Sequence, residues 1–132
     1  MQIEHIGIAV SSLEEAVRTW RGLGLAITRF EDVAADGVRV AMIPMGDSRI
    51  ELLESTTPDS PIAKFLAKRG PGIHHIAIRV DNIDQTLDRL RASGARIVDP
   101  SPRQGSGGTR VAFLHPASLG GVLVELVEHE AE

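Results

Sequence analysis

An α+β fold built from two tandem βαβββ modules is predicted by three features of this sequence: an internal repeat, a strand-then-helix pattern opening each copy, and glycines at matching helix ends. Placing IEHIGIAV (Ile3 to Val10) over IHHIAIRV (Ile73 to Val80) gives an offset of 70 residues (73 − 3). Ile3, His5, Ile6, Ile8 and Val10 then meet Ile73, His75, Ile76, Ile78 and Val80. The match runs on without a gap through Leu13 on Ile83, Val17 on Leu87, Trp20 on Leu90, Gly24 on Gly94 and Ile27 on Ile97. Further along, VAM (Val40 to Met42) meets VAF (Val111 to Phe113), and IELLE (Ile50 to Glu54) meets VELVE (Val124 to Glu128) at an offset of 74 (124 − 50). Small changes of offset mark loop insertions between equivalent strands.

Each copy opens on a strand rich in Ile and Val with a period of two. The first helix starts at Ser12-x-x-Glu15, a capping box, and Asp81 or Asn82 serves the same purpose in the second copy. Leu13, Val17 and Trp20, and likewise Ile83, Leu87 and Leu90, recur at spacings of three and four, so each helix buries one face. Gly24 and Gly94 end these helices with a left-handed residue. Three β segments follow in each copy, near 25–31, 37–45 and 49–55, then 95–98, 109–114 and 121–128. Between the copies, Ser60 caps and Pro61 opens a linker helix that Gly70-Pro71-Gly72 stops. The expected layout is a single domain: module 1 over 1–57, the linker helix over 58–71 and module 2 over 72–132.

Composition narrows the function classes. With 132 residues, 42% of them hydrophobic, the chain can bury a core without covalent staples. It has no cysteine, so any metal must be held by His, Asp, Glu or backbone oxygen. A net charge of −4 without a basic cluster argues against nucleic acid or a membrane surface as partner. The start MQIEHIGIAV reads as a strand rather than a targeting leader, and a cytoplasmic protein is expected.

The repeat makes four polar residues informative. His5 is equivalent to His75, and Glu51 to Glu125, each inside an otherwise apolar strand. Burying a carboxylate without a partner is costly, and a divalent cation shared by His5, Glu51, His75 and Glu125 satisfies all four. Other polar residues have plainer readings. His74 points to the opposite strand face from His75 and is structural, and His115 in FLHP belongs to a hairpin or pocket wall. His129, Glu130 and Glu132 lie in a tail expected to fray, and Glu54 and Glu128 are expected to be solvated strand ends.

These residues resemble the vicinal oxygen chelate (glyoxalase-like) superfamily and, within it, the methylmalonyl-CoA epimerase family. The matching segments are HIGIAV with LEEAV, GLGL, DGVRVAMIPMG, IELLE, DSPIAKFLAKRG, GIHHIAIRVDNID, PRQGSGG, VAFLHP and GGVLVELVE, nearly the whole chain. The resemblance implies a cupped mixed sheet around a divalent metal, a homodimer and a CoA thioester substrate. Carried over by position, the metal ligands fall on His5, Glu51, His75 and Glu125. Some family members place Gln at the position of Glu51 and a catalytic Glu at that of Val40; this chain has neither. Valine cannot move a proton, so Glu51 becomes the natural second base beside Glu125.

The implied reaction removes the α-proton of methylmalonyl-CoA on one face and returns it on the other. A divalent ion stabilises the enolate, and Glu125 and Glu51 serve the two faces. Two nitrogens and two oxygens without sulfur accommodate Co, Ni, Mn, Fe, Zn or Mg. Arg103 with Gly105 and Gly107 of PRQGSGG is the candidate contact for a phosphate or the malonyl carboxylate, with a plain hairpin loop as the alternative. Lys64, Lys68 and Arg69 share a linker-helix face that reads first as solvated. The main competing activity is a glyoxalase I-type isomerase acting on a glutathione hemithioacetal. A metal-free binding module and an extradiol dioxygenase fit the four retained ligands less well.

Overall fold

The computed structural model describes residues 1–130, which fall into two compact units, His5–His74 and Met1–Glu4 with His75–Glu132. The first unit holds β1 (Gln2–Ala9) from His5 onward, α1 (Leu13–Arg21), β2 (Arg29–Val33), β3 (Val38–Met45), β4 (Ser48–Ser55) and α2 (Pro61–Arg69). Its strands run in the order β2-β3-β4-β1, with β1 and β4 parallel and the other pairs antiparallel. The second holds β5 (Gly72–Arg79) from His75, α3 (Ile83–Ala92), β6 (Arg103–Gln104), β7 (Arg110–Leu114) and β8 (Val124–Glu128). Its order is β5-β8-β7-β6, with β5 and β8 parallel. Each unit thus contains one βαβββ module, followed in the first by α2.

The strand period of two gives each sheet segment two different faces. In the first unit, Leu13 and Val17 of α1 pack with Val10, Ile27, Ala41, Ile43 and Leu52 on one face. In the second, Ile83 and Leu87 of α3 pack with Val80, Ala112, Leu114, Val124 and Leu126. The opposite face of the first unit carries Ala9, Val38, Val40, Met42 and Leu53, covered by Ile62, Phe65 and Leu66 of α2. Ser60 caps α2 by accepting from Ala63 N–H at 3.1 Å. As expected of a structural residue, His74 meets Phe65 edge-on, with ring centroids 5.1 Å apart.

The helix starts match the expectation and add a device that was not foreseen. Ser12 Oγ accepts from Glu15 N–H (3.2 Å), and Asn82 Oδ1 accepts from Gln85 N–H (3.0 Å). Glu54 and Glu128 are not solvated strand ends. Glu54 Oε2 accepts the Leu13 N–H at 2.7 Å, and Glu128 Oε2 accepts the Ile83 N–H at 2.8 Å. Both carboxylates therefore satisfy a first-turn N–H that no helix carbonyl can reach, at the positive end of the helix dipole. Glu128 also meets Arg110 at 3.3 Å, and Arg110 binds Asp84 at 2.9 Å. The hydrogen bond to Asp84 is the main cause that raises the Arg110 pKa above its ordinary value.

Other local departures have equally local causes. The strand expected near 25–31 begins at Arg29, and the segment 95–98 forms only a single bridge between Ile97 and Leu114. The edge strand of the second module is instead the two-residue β6. Pro100 and Pro102 lack the N–H that a longer ladder needs, and Asp99 Oδ2 takes the Phe113 N–H at 2.8 Å. His129 does not fray: its Nε2 lies 3.0 Å from Oε2 of the buried Glu4. Glu132 lies outside the described residues. His115 Nδ1 accepts from Ala117 N–H at 3.1 Å, closing the turn after β7. Lys64, Lys68 and Arg69 are exposed. Among the described residues no helix is long and apolar enough to cross a membrane.

Removing either capping carboxylate strands a helix N–H. Glu54→Ala and Glu128→Ala should each lower the unfolding free energy by about 1–2 kcal/mol, measured by urea denaturation. Midpoints equal to the parent's would show that water replaces the carboxylates without loss.

Candidate metal centre

In each unit, parallel pairing of the first and last strands brings one histidine beside one glutamate. β1 and β4 run in register with Gly7 opposite Glu51, and β5 and β8 with Ala77 opposite Glu125. The residue opposite each glutamate is small. His5 and His75 stand two positions earlier on the same strand face, so their imidazoles reach the carboxylates past a minimal neighbour. His5 Nδ1 lies 3.5 Å from Glu51 Oε2, and His75 Nε2 lies 3.4 Å from Glu125 Oε1. All four residues are buried, with exposures of 6% (His5), 8% (Glu51), 7% (His75) and 9% (Glu125).

These separations suit a metal. Nitrogen and oxygen atoms bonded to one ion at about 2.1 Å stand about 3.0–3.4 Å apart, depending on whether the geometry is octahedral or tetrahedral. Each His–Glu pair is near that spacing, and each offers one imidazole nitrogen and one carboxylate oxygen. The residues present therefore fit a divalent cation of the Zn, Co, Ni, Mn, Fe or Mg kind.

The surroundings of the two pairs differ. Glu51 Oε2 accepts a hydrogen bond from Arg49 Nε at 2.7 Å, the same oxygen that faces His5. The sequence reading missed Arg49, although the signal was there: residues two apart on a strand share a face. In the second unit, Phe113 sits across from Glu125 in the β7–β8 register and meets His75 edge-on at 5.7 Å. Arg103 lies over the same Phe113 ring, its guanidinium carbon 5.8 Å from the centroid, and its Nε is 3.8 Å from Asp99 Oδ1. Arg103 is thus tied to the His75 neighbourhood through one aromatic ring. Nothing in the sequence pattern pointed to Asp99 as its partner.

The other loop candidates are placed less simply. The Gly105 N–H donates to Thr109 O at 2.9 Å, and a Cβ at Gly105 would come within 2.6 Å of Thr109 Oγ1. Gly105 is a glycine because the loop closes on itself, and its amide serves the loop rather than a ligand. Gly107 has a left-handed φ of 64°, with open space around it. Val40 is fully packed, 3% exposed among Val38, Met42, Leu53 and Ile62, so no proton-transfer group stands at that position.

Comparison with known proteins follows the same lines. Residues 4–113 match the family model described as the Glyoxalase/Bleomycin resistance protein/Dioxygenase superfamily. The chain is 41% identical over 128 residues to an ethylmalonyl-CoA/methylmalonyl-CoA epimerase of Cereibacter sphaeroides, covering 95% of this chain and 96% of the relative. A hypothetical protein from Bacillus halodurans C-125 superposes with a TM-score of 0.94 at 42% identity, over 99% of this chain and 96% of that one. A variant of Streptomyces coelicolor methylmalonyl-CoA epimerase in complex with 2-nitronate-propionyl-CoA superposes with a TM-score of 0.90 at 39% identity, over 99% and 96% of the two chains. Two βαβββ modules, a His–Glu pair in each and these matches together assign the chain to the Glyoxalase/Bleomycin resistance protein/Dioxygenase superfamily and, within it, to the methylmalonyl-CoA epimerase family.

Proposed function

We propose that this chain is a metal-dependent epimerase of methylmalonyl-CoA, in which His5, Glu51, His75 and Glu125 share one divalent ion. The observation that carries the reading is the buried His–Glu pair found at equivalent places in both modules. Near end-to-end similarity to epimerases of this substrate supports it.

When bound, the ion supplies electrophilic stabilisation of the negative charge that develops on the thioester oxygen. The residues of the chain move the proton. Epimerisation needs one group to take the α-proton from one face and another to return a proton from the opposite face. Glu125 and Glu51, one from each module, are assigned these two tasks, because the packed Val40 offers no alternative. Arg103, held over Phe113 near His75, is assigned to the substrate's carboxylate or a CoA phosphate, with Gly107 at the open bend of the same loop. The same proposal includes a homodimer working in the cytoplasm. Exposed Ile3, Ile73 and Val98 provide apolar surface for a second copy to cover.

Transfer of the α-proton of methylmalonyl-CoA to heavy water, followed by NMR, tests the activity directly. Exchange with methylmalonyl-CoA and no turnover of a glutathione hemithioacetal is the expected outcome; the reverse would make the enzyme a glyoxalase. Elemental analysis after chelator-free purification should find about one divalent ion per chain. Full occupancy in a His5→Ala, His75→Ala double variant would refute the ligand assignment.

Glu51→Gln should keep most of the metal, since an amide oxygen still ligates, yet lose epimerisation by about 10²–10⁴-fold. It should still exchange the α-proton of one epimer without converting it, and Glu125→Gln should show the opposite preference. Epimerisation near the parent rate in Glu51→Gln would end the two-glutamate mechanism. Light scattering across micromolar concentrations should report a dimer, and a monomer throughout would remove that part of the proposal.

A further inference from the structure

Arg49 stands on β4 two residues before Glu51, so both side chains leave the same strand face. Its Nε donates to Glu51 Oε2 at 2.7 Å, the length of a charge-assisted hydrogen bond. That oxygen is also the one 3.5 Å from His5 Nδ1. A carboxylate oxygen has two lone pairs, so Oε2 can accept from Arg49 and still present a lone pair toward the imidazole side. The guanidinium itself remains partly in water, its side chain 30% exposed, while Glu51 is buried. The position equivalent to Arg49 in module 2 is Leu123, so the repeat does not carry this arginine over.

We infer that Arg49 is the positioning residue for Glu51: it locks the carboxylate rotamer that faces His5 and offsets the charge of a glutamate ligand at this place. The inference rests on the proposed ligand set. A glutamate carboxylate at the end of three rotatable bonds has several rotamers available, and an outer partner that selects one of them raises metal affinity without touching the metal. The planar, permanently charged guanidinium suits this task, since it stays a donor at every pH of interest.

The test is titration of the metal-free protein with Co²⁺, followed by its visible absorption. Arg49→Ala should weaken Co²⁺ binding by about 10–100-fold, the usual effect of removing an outer-shell partner, and shift the absorption band. Arg49→Lys, which keeps a charged donor, should recover part of the loss. In a Glu51→Ala background, Arg49→Ala should change nothing, because the ligand and acceptor it positions is gone. Parent-like affinity and an unchanged band in Arg49→Ala would overturn the inference. So would an equal loss in the Glu51→Ala background, which would mark a general structural effect. His75→Ala separates this failure from failure of the ligand assignment. If His75→Ala abolishes binding while Arg49→Ala binds Co²⁺ as the parent does, only the role of Arg49 falls; if His75→Ala binds Co²⁺ as the parent does, the ligand set falls and this inference with it.

Discussion

Two buried carboxylates inside apolar strands set the terms for the rest of this molecule. A glutamate with little exposure must be compensated, and here each is met by a histidine from a parallel neighbouring strand. That arrangement needs the first and last strands of a module to lie side by side in one register. A βαβββ connection provides it, because the module's helix returns the chain across one face and the polar pair lies on the other, which in the first module α2 also covers in part. The capping glutamates Glu54 and Glu128 tie the same elements together. Each sits three residues beyond the Glu of a His–Glu pair, points to the other face, and holds the first turn of the module's helix. Fold and site are thus written into the same two short segments, IELLE and VELVE.

The two modules repeat one plan, but their His–Glu pairs are not identical. The two histidines keep equivalent strand positions but present different ring nitrogens to their glutamates, Nδ1 in His5 and Nε2 in His75. Glu51 has an arginine on its own strand, whereas His75 has an aromatic ring backed by Arg103. An enzyme that handles the two faces of one carbon needs two proton-transfer groups of similar reach but not of identical surroundings. The substrate is chiral, so its two sides are never equivalent.

Much of this was legible before any coordinates. The period of two in IEHIGIAV and IHHIAIRV, the helical spacing of Leu13 and Val17, and the caps Ser12, Ser60 and one of Asp81 or Asn82 depend on nearest neighbours in sequence, and the structure has them, with Asn82 as the third cap. The strand expected at 95–98 failed because apolar residues there satisfy the strand pattern while Pro100 and Pro102 curtail the ladder. Glu54 and Glu128 were misread for a different reason. Their partners, the Leu13 and Ile83 N–H groups, lie more than forty residues away in the chain.

The sequence by itself determined the duplicated βαβββ plan, the four residues with donor atoms, and the absence of a proton carrier at Val40. Those properties follow from residue type and from periodicity, which are local. Only the tertiary structure decided which oxygen of Glu51 faces His5, that Arg49 donates to that same oxygen and not the other, that Gly105 spends its amide on Thr109, and that Asp99 receives Phe113. Hydrogen bonds depend on distances of a few tenths of an ångström between side chains whose rotamers are chosen by packing, and no pattern along the chain encodes that choice.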